Sequence, residues 1–278
     1  MRLYLRLLLA CFMLLTVAVS RADDASEQAI DDLLTLSGLK SAIEQLELAY
    51  SLSLERQISH YQLSEAQVER LTAAIASYRS EQVLEELKNE FRRGLDQNSI
   101  APVLKTLRTD TIQKFRRFER IGHSPQQQQK LANYLPNNPV SAERLALLRN
   151  CHQSDFGPEI SAILQSFAEV DTAVALDQIS GEWISRNDGE GVKLWRSNIE
   201  KDYASQFAIQ ADPYLAFAYR FIRDETLQEY AERWSDRNLQ WFMQTSLQTL
   251  RKLLRQRRKP MLESLQQAEE LPTQDLDQ

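Results

Sequence analysis

The sequence predicts an all-α protein. Only 7 of its 278 residues are glycine, whereas an average protein has roughly 7% glycine. No stretch alternates β-branched and polar residues as a strand does, and apolar residues recur at spacings of three and four along most of the chain. The glycines stand where this periodicity stops, as expected of helix ends: Gly38, Gly94, Gly122, Gly157, Gly181, Gly189 and Gly191.

The first 22 residues have the composition of a secretory signal peptide. Arg2 and Arg6 precede an apolar run over 7–19, and Ser20-Arg21-Ala22 supplies small residues at the cleavage positions. We expect cleavage after Ala22 and a periplasmic location. A retained anchor is the main alternative, although the run is short of the roughly 20 residues that span a bilayer. Acylation at Cys11 is the other, but too few apolar residues precede this cysteine.

Cleavage would leave 30 of the 33 basic residues against 39 acidic ones, a net charge of −9. This balance argues against a dedicated nucleic-acid-binding protein. Cleavage would also leave Cys151 as the single cysteine, so no intramolecular disulfide is expected. Cys151 fits either a small buried hydrophobic residue or a reactive or intermolecular thiol.

The first half, 23–138, is expected to form one helical unit. A short helix is predicted up to Gly38, and a longer one over 40–61. Ser64-Glu65-Ala66-Gln67 is a capping box that fixes a helix start at Glu65, with a bend near 77–80 before the helix continues to Gly94. One helix is predicted from Ser99 to Gly122 and a short one over 124–135, before the unit ends at the proline-rich segment 136–139.

The second half, 139–271, is expected to form a second, longer unit. Ser141 restarts the helical pattern, and 171–213 adds one or two helices around a turn at 187–191. Asp212-Pro213 and Asp224 are predicted helix starts, and the last long helix is predicted to be interrupted at Pro260. Residues 272–278 form a polar acidic tail that is expected to be disordered.

An offset of 159 residues relates the two halves. It places Leu71 and Ile75 on Tyr230 and Trp234, and further apolar residues of 68–95 on apolar residues of 227–254, although Leu87 falls on Ser246. A similar but looser correspondence joins 30–50 with 145–167. We therefore expect two related antiparallel helical units that together form a helix bundle.

The segment 219–230, YRFIRDETLQEY, with Trp234 and Trp241-Phe242 after it, resembles an exported helical family of Gram-negative bacteria called domain of unknown function 2059. The stretch from Leu63 to Ser80 is similar to the same element. The chain departs from the family pattern at 235–238, where a Ser-Pro-x-Gly-like step is commoner. The resemblance implies an exported helical bundle. It implies no activity, because no catalytic residues can be transferred from it.

No cluster of residues predicts catalysis, a cofactor or a metal ion. His60, His123 and His152 lack a second ligand at metal-binding spacing, and 187–191 lacks the ligand pattern of a calcium loop. Glu85, Glu86 and Glu90 alternate with cations as on a solvated helix face. We therefore expect a non-enzymatic protein.

The sequence leaves two kinds of binding function open. The first is an interaction module that binds an envelope protein, and the second is a carrier or chaperone for an apolar or lipidic ligand. All four tryptophans lie in the second half, where they suit a core or a ligand groove. One basic run near the end of the chain either stabilises a helix C-terminus or docks on anionic lipid: Arg251, Lys252, Arg255, Arg257, Arg258 and Lys259.

Overall fold

The computed structural model describes residues 27–267, except 77, 96, 123–129, 132–133, 135–137 and 182–188. The predicted all-α class is confirmed for these residues, which contain helices and no strand. None of the described helices is both long and apolar enough to cross a bilayer. The helices are 27–36 (α1), Leu39–Ile43 (α2), Leu46–Ile58 (α3), Glu65–Ile75 (α4), Ser80–Gly94 (α5), Gln97–Leu107 (α6), Asp110–Gly122 (α7), Ala142–Ser154 (α8), Gly157–Ser180 (α9), Gly189–Gln210 (α10), Asp212–Ala218 (α11), Asp224–Trp234 (α12) and Arg237–Gln267 (α13).

Helix α9 lies at the centre of the molecule. Most of its residues are buried, including polar Asp171 and Thr172, because α3, α10 and α13 pack around it. A helix that is apolar on nearly every side belongs in a core rather than at a surface. It begins after Phe156, which has a positive φ of 62°, and ends at Gly181, where φ is 74° and glycine avoids the strain of a side chain.

Helices α4 and α12 are both 11 residues long, and their first residues, Glu65 and Asp224, are separated by the predicted offset of 159. Most of the residue pairs that this offset matches are buried in both places, including Leu71 with Tyr230 and Leu87 with Ser246, whereas Val68 and Leu95 are only half-buried. Ser246 tolerates burial because its hydroxyl donates to the Phe242 carbonyl at 2.7 Å. The predicted offset therefore pairs mostly buried positions with buried ones.

Residues from both predicted units form one continuous hydrophobic core, which extends from Ile30 to Leu265. Phe91 of α5 and Phe242 of α13 meet in it, with ring centroids 5.7 Å apart. A smaller cluster of Val170, Val174 and Val192 attaches α10 to α9. Contacts between the halves are therefore part of the core rather than a surface between separate domains.

Several predicted helix ends are confirmed. Ser64 and Gln67 form the capping box before α4, and the Ser141 hydroxyl accepts a hydrogen bond from the Arg144 amide at 3.2 Å. Asp212 and Asp224 are the first residues of their helices rather than the caps. The predicted helix over 124–135 lies mainly outside the described residues. Of the predicted turn over 187–191, residues 187–188 lie outside them as well, but the prediction was wrong for 189–191, which form the first residues of α10.

Three predicted helices were wrong. The helix over 40–61 is two helices, which break at 44–45 so that Ile43 and Leu46 both enter the core. The helix over 99–122 breaks at 108–109, where the Thr109 hydroxyl donates to the Thr106 carbonyl at 2.7 Å. Helix α13 does not stop at Pro260, because Met261 and Leu265 are buried beyond it and their packing outweighs the backbone hydrogen bond that proline removes.

We expect the two halves to unfold together because they share a core. All four tryptophans lie at or beyond residue 183, so tryptophan fluorescence reports on the second half, whereas far-ultraviolet circular dichroism reports on helices of both. Urea unfolding curves measured by the two methods should coincide, as in a two-state transition. Two separated midpoints would show that the halves fold independently.

Candidate functional site

The predicted basic residues lie on α13, and five of the six pair with carboxylates of the same chain. Arg255 is exposed. The positive charge of this segment is therefore largely matched within the molecule. The pairs are Arg251 with Glu200 (2.6 Å), Lys252 with Glu90 (2.7 Å), Arg257 with Glu86 (2.7 Å), Arg258 with Asp171 (2.8 Å) and Lys259 with Glu263 (3.6 Å).

An open cleft of about 520 Å³ separates α13 from α5. It brings two predicted features together, because the acidic residues Glu86 and Glu90 of α5 face the basic segment of α13 across it. A hydrogen bond from Lys252 lowers the pKa of Glu90, so the Glu90 carboxylate is a poor proton donor at neutral pH. Most of the residues that line it have amide or charged side chains: Gln82, Glu86, Asn89, Glu90, Arg93, Leu253, Gln256, Arg257 and Pro260.

Asp171 is the centre of a buried charge network. Its Oδ2 accepts hydrogen bonds from the hydroxyls of Tyr50 at 3.1 Å and Tyr78 at 2.8 Å. Its Oδ1 accepts from Arg196 and from Arg258, the latter at 2.8 Å. Burial raises the pKa of Asp171, and the charge of Arg258 opposes this shift. The carboxylate has no exposed surface, so we assign it a structural role, joining α3, α9, α10 and α13.

A second buried network surrounds Asp155, which follows α8. Its carboxylate accepts from the Tyr230 hydroxyl at 2.9 Å and from the Gly157 amide at 3.0 Å. Arg116 lies 4.0 Å from it and pairs with Glu119 at 2.8 Å. Burial raises the pKa of Asp155, and Arg116 opposes the shift. This network joins α7 to the second half of the chain.

The tyrosines of both networks should resist ionisation, as should Tyr219, whose hydroxyl donates to Glu119 beside Arg116. Burial raises the pKa of Tyr50, Tyr78, Tyr219 and Tyr230. Because their folded pKa values exceed the unfolded value of about 10, the corresponding stability is fully present below that pH and is lost as the pH rises above it. Absorbance at 295 nm should therefore increase together with loss of helical circular dichroism. Ionisation of these tyrosines in the folded protein would contradict this assignment.

The described residues contain no group of three or more potential ligands that could hold a metal ion. Cys151 is buried, and its thiol donates to the Leu227 carbonyl at 3.1 Å. Burial raises its pKa to about 12, which disfavours the reactive thiolate. His60 is exposed, and His152 lies 3.7 Å from Asp155. His123 lies outside the described residues.

The outer face of α3 exposes two leucines. Leu48 is 53% exposed and Leu52 is 46% exposed, and they lie four residues apart, hence on one helix face. Single exposed apolar residues are common on protein surfaces, so it is the closeness of these two leucines, and not their exposure alone, that distinguishes this face.

This surface continues onto α10. Arg56, one turn after Leu52, lies 3.7 Å from Glu169, and Glu169 accepts a hydrogen bond from the Tyr203 hydroxyl. The Tyr203 ring stacks on Phe207, with centroids 5.4 Å apart. Both aromatic residues are half-buried. We call Leu48, Leu52, Arg56, Glu169, Tyr203 and Phe207 the α3–α10 surface.

Comparisons with known proteins give no name to this arrangement. No family model, curated protein or solved structure matches the chain.

Sequence reasoning missed the α3–α10 surface. It predicted a helix over 40–61 and made no prediction for Leu48 and Leu52. Their spacing of four residues on one helix face was the available signal. It missed the Asp171 network too, because the five residues that form it span 50–258 and share no local pattern.

Proposed function

We propose that the protein is a non-catalytic interaction module of the bacterial cell envelope, which binds another protein through the α3–α10 surface. The observation that carries this proposal is the exposure of Leu48 and Leu52 on adjacent turns of α3. Burying half-exposed leucines against a partner is favourable by about 25 cal/mol per Å² of apolar area. The surrounding polar groups, Arg56 with Glu169 and Tyr203, would form the rim that protein interfaces commonly have.

The proposal includes export and internal repetition. The charged start, the apolar run and the small residues before position 23 support a signal peptide cleaved after Ala22, which would release the protein into the periplasm. The equal lengths of α4 and α12 at the offset of 159 support two related units, 23–138 and 139–271. The resemblance to domain of unknown function 2059 agrees with both features. The proposal requires no cofactor.

The alternative of a lipid carrier receives less support from the described residues. The α5–α13 cleft is lined mainly by amide and charged side chains, which suit an acyl chain poorly. Docking of α13 on anionic lipid is also less favourable, because Arg251, Lys252, Arg257 and Arg258 already pair with carboxylates.

The proposal is tested with the double substitution Leu48→Ser and Leu52→Ser. Blue native electrophoresis of gently solubilised envelopes should show the wild-type protein in a complex and the variant at the size of the free chain. The control is Leu194→Ser with Ile209→Ser, which removes two other exposed apolar side chains, 65% and 61% exposed. Exposed substitutions of this kind should change stability by less than about 0.5 kcal/mol. A complex that survives the α3 substitutions would refute the proposal.

A further inference from the structure

The charges around Leu48 and Leu52 indicate which partner this surface suits. Glu44 lies four residues before Leu48, and Glu55 lies three residues after Leu52; both glutamates are exposed. Glu44 stands at the break between α2 and α3, and Glu55 lies within α3, so the order along the chain is acid, leucine, leucine, acid. From Leu48 to Glu55 this corresponds to about 10 Å of helix.

The two other charged groups closest to the leucines on α3, Glu47 and Arg56, do not cancel this pattern. Arg56 is directed to Glu169, at 3.7 Å. Glu47 is already bound, because its carboxylate accepts hydrogen bonds from the Ser80 amide at 2.9 Å and the Ser80 hydroxyl at 2.8 Å. Those hydrogen bonds and the neighbouring charge of Arg79 lower its pKa. Glu44 and Glu55 are thus the carboxylates at the two ends of the leucine pair that a partner would meet.

We propose that the α3–α10 surface binds a cationic amphipathic helix of another protein, with two apolar residues four positions apart and a lysine or arginine about one turn outside each. This inference rests on the proposed function and adds the chemistry of the partner. The apolar residues would cover Leu48 and Leu52, and the two cations would face Glu44 and Glu55. Helices that lay an apolar face on a partner commonly use such i and i+4 anchors.

Charge complementarity distinguishes this partner from the other occupants. A second copy packed through the same face would place Glu44 and Glu55 against the same two glutamates, whether the α3 helices ran parallel or antiparallel. Like charges that face each other across an interface oppose association. An anionic lipid surface would meet the same two carboxylates and be repelled.

The inference is tested with two synthetic 18-residue helical peptides and the purified protein. Both peptides have leucines four residues apart; one has lysine outside each leucine, and the other has glutamate there. Fluorescence anisotropy at low salt should show the lysine peptide binding about tenfold more tightly, since two exposed ion pairs replace two repulsions. Leu48→Ser with Leu52→Ser should abolish binding, and Glu44→Lys with Glu55→Lys should reverse the preference.

A matched control separates this pattern from bulk charge. Glu69→Lys with Glu232→Lys makes the same change in net charge at two exposed positions elsewhere, and it should leave the preference for the lysine peptide intact. Equal binding of both peptides, or lysine-peptide binding that survives the leucine substitutions, would overturn the inference. Self-association of the protein that disappears in the leucine variant would also overturn it, in favour of a second copy.

Failure of the inference can be distinguished from failure of the proposed function. If neither peptide binds but the native complex still depends on Leu48 and Leu52, the surface is an interface for a partner of different chemistry. If the native complex is also insensitive to these leucines, the proposed function fails as well.

Discussion

Replacing Asp171 with alanine is expected to lower the free energy of unfolding by about 3–5 kcal/mol. The carboxylate is the shared acceptor for Arg196, Arg258 and the hydroxyls of Tyr50 and Tyr78. Only 6% of the Arg196 side chain is exposed, so its guanidinium would lose its buried counter-charge and have little access to water. Urea unfolding followed by circular dichroism measures the loss.

Two controls identify the cause of this loss. Asp202→Ala removes an exposed carboxylate from α10 and should cost less than about 0.5 kcal/mol. Tyr50→Phe removes one hydrogen bond to Asp171 but keeps the aromatic ring that stacks on Tyr78, so it should cost about 1.5–3 kcal/mol, as for a hydrogen bond to a charged group. If Asp171→Ala were no more destabilising than Tyr50→Phe, the Asp171 network would not be what holds α3, α9, α10 and α13 together.

Phe91→Ala and Phe242→Ala are each expected to cost about 3–5 kcal/mol, since truncation leaves a cavity in the core. Phe91 is 2% exposed and Phe242 is 1% exposed. Because the rings contact each other across the two halves, the two losses should not be additive. This non-additivity is better measured in a double-mutant cycle with Phe91→Leu and Phe242→Leu, which keep the double variant folded. We expect a coupling free energy between the two residues of about 0.5–1.5 kcal/mol.

A pair of residues in different clusters provides the comparison for this cycle. Val192 belongs to the small cluster between α9 and α10 rather than to the main core. Combining Phe91→Leu with Val192→Ala should therefore give additive losses within about 0.5 kcal/mol. Additive losses for Phe91 and Phe242 as well would contradict a core shared between the halves.

The predictable part of the fold is the part that depends on local signals. The capping box at Ser64 and the cap at Ser141 fix helix starts because their hydrogen bonds join residues three apart. The burial of Leu71 and Tyr230 followed from periodicity, since the same apolar spacing in α4 and α12 places these two residues on the inner faces of their helices.

The remaining features depend on contacts between distant residues. Pro260 alone predicts a helix end, and only the burial of Met261 and Leu265 by the rest of the molecule explains why α13 continues. All six members of the basic run were predicted as one charged feature, and five of them form ion pairs. Their pairing with carboxylates such as Asp171 and Glu200, which come from other helices, could not be predicted from one stretch of sequence.

Photo-crosslinking in living cells tests the central claim, that the α3–α10 surface is a protein interface, most directly. The probe is Leu52→p-benzoylphenylalanine, and the control is Arg255→p-benzoylphenylalanine, at an exposed position on α13. Irradiation should join the Leu52 probe to one envelope protein, identified by mass spectrometry through a crosslinked peptide with lysine or arginine beside apolar residues, and the Arg255 probe should not capture it. Absence of a discrete product at position 52, or the same product at both positions, would contradict the claim.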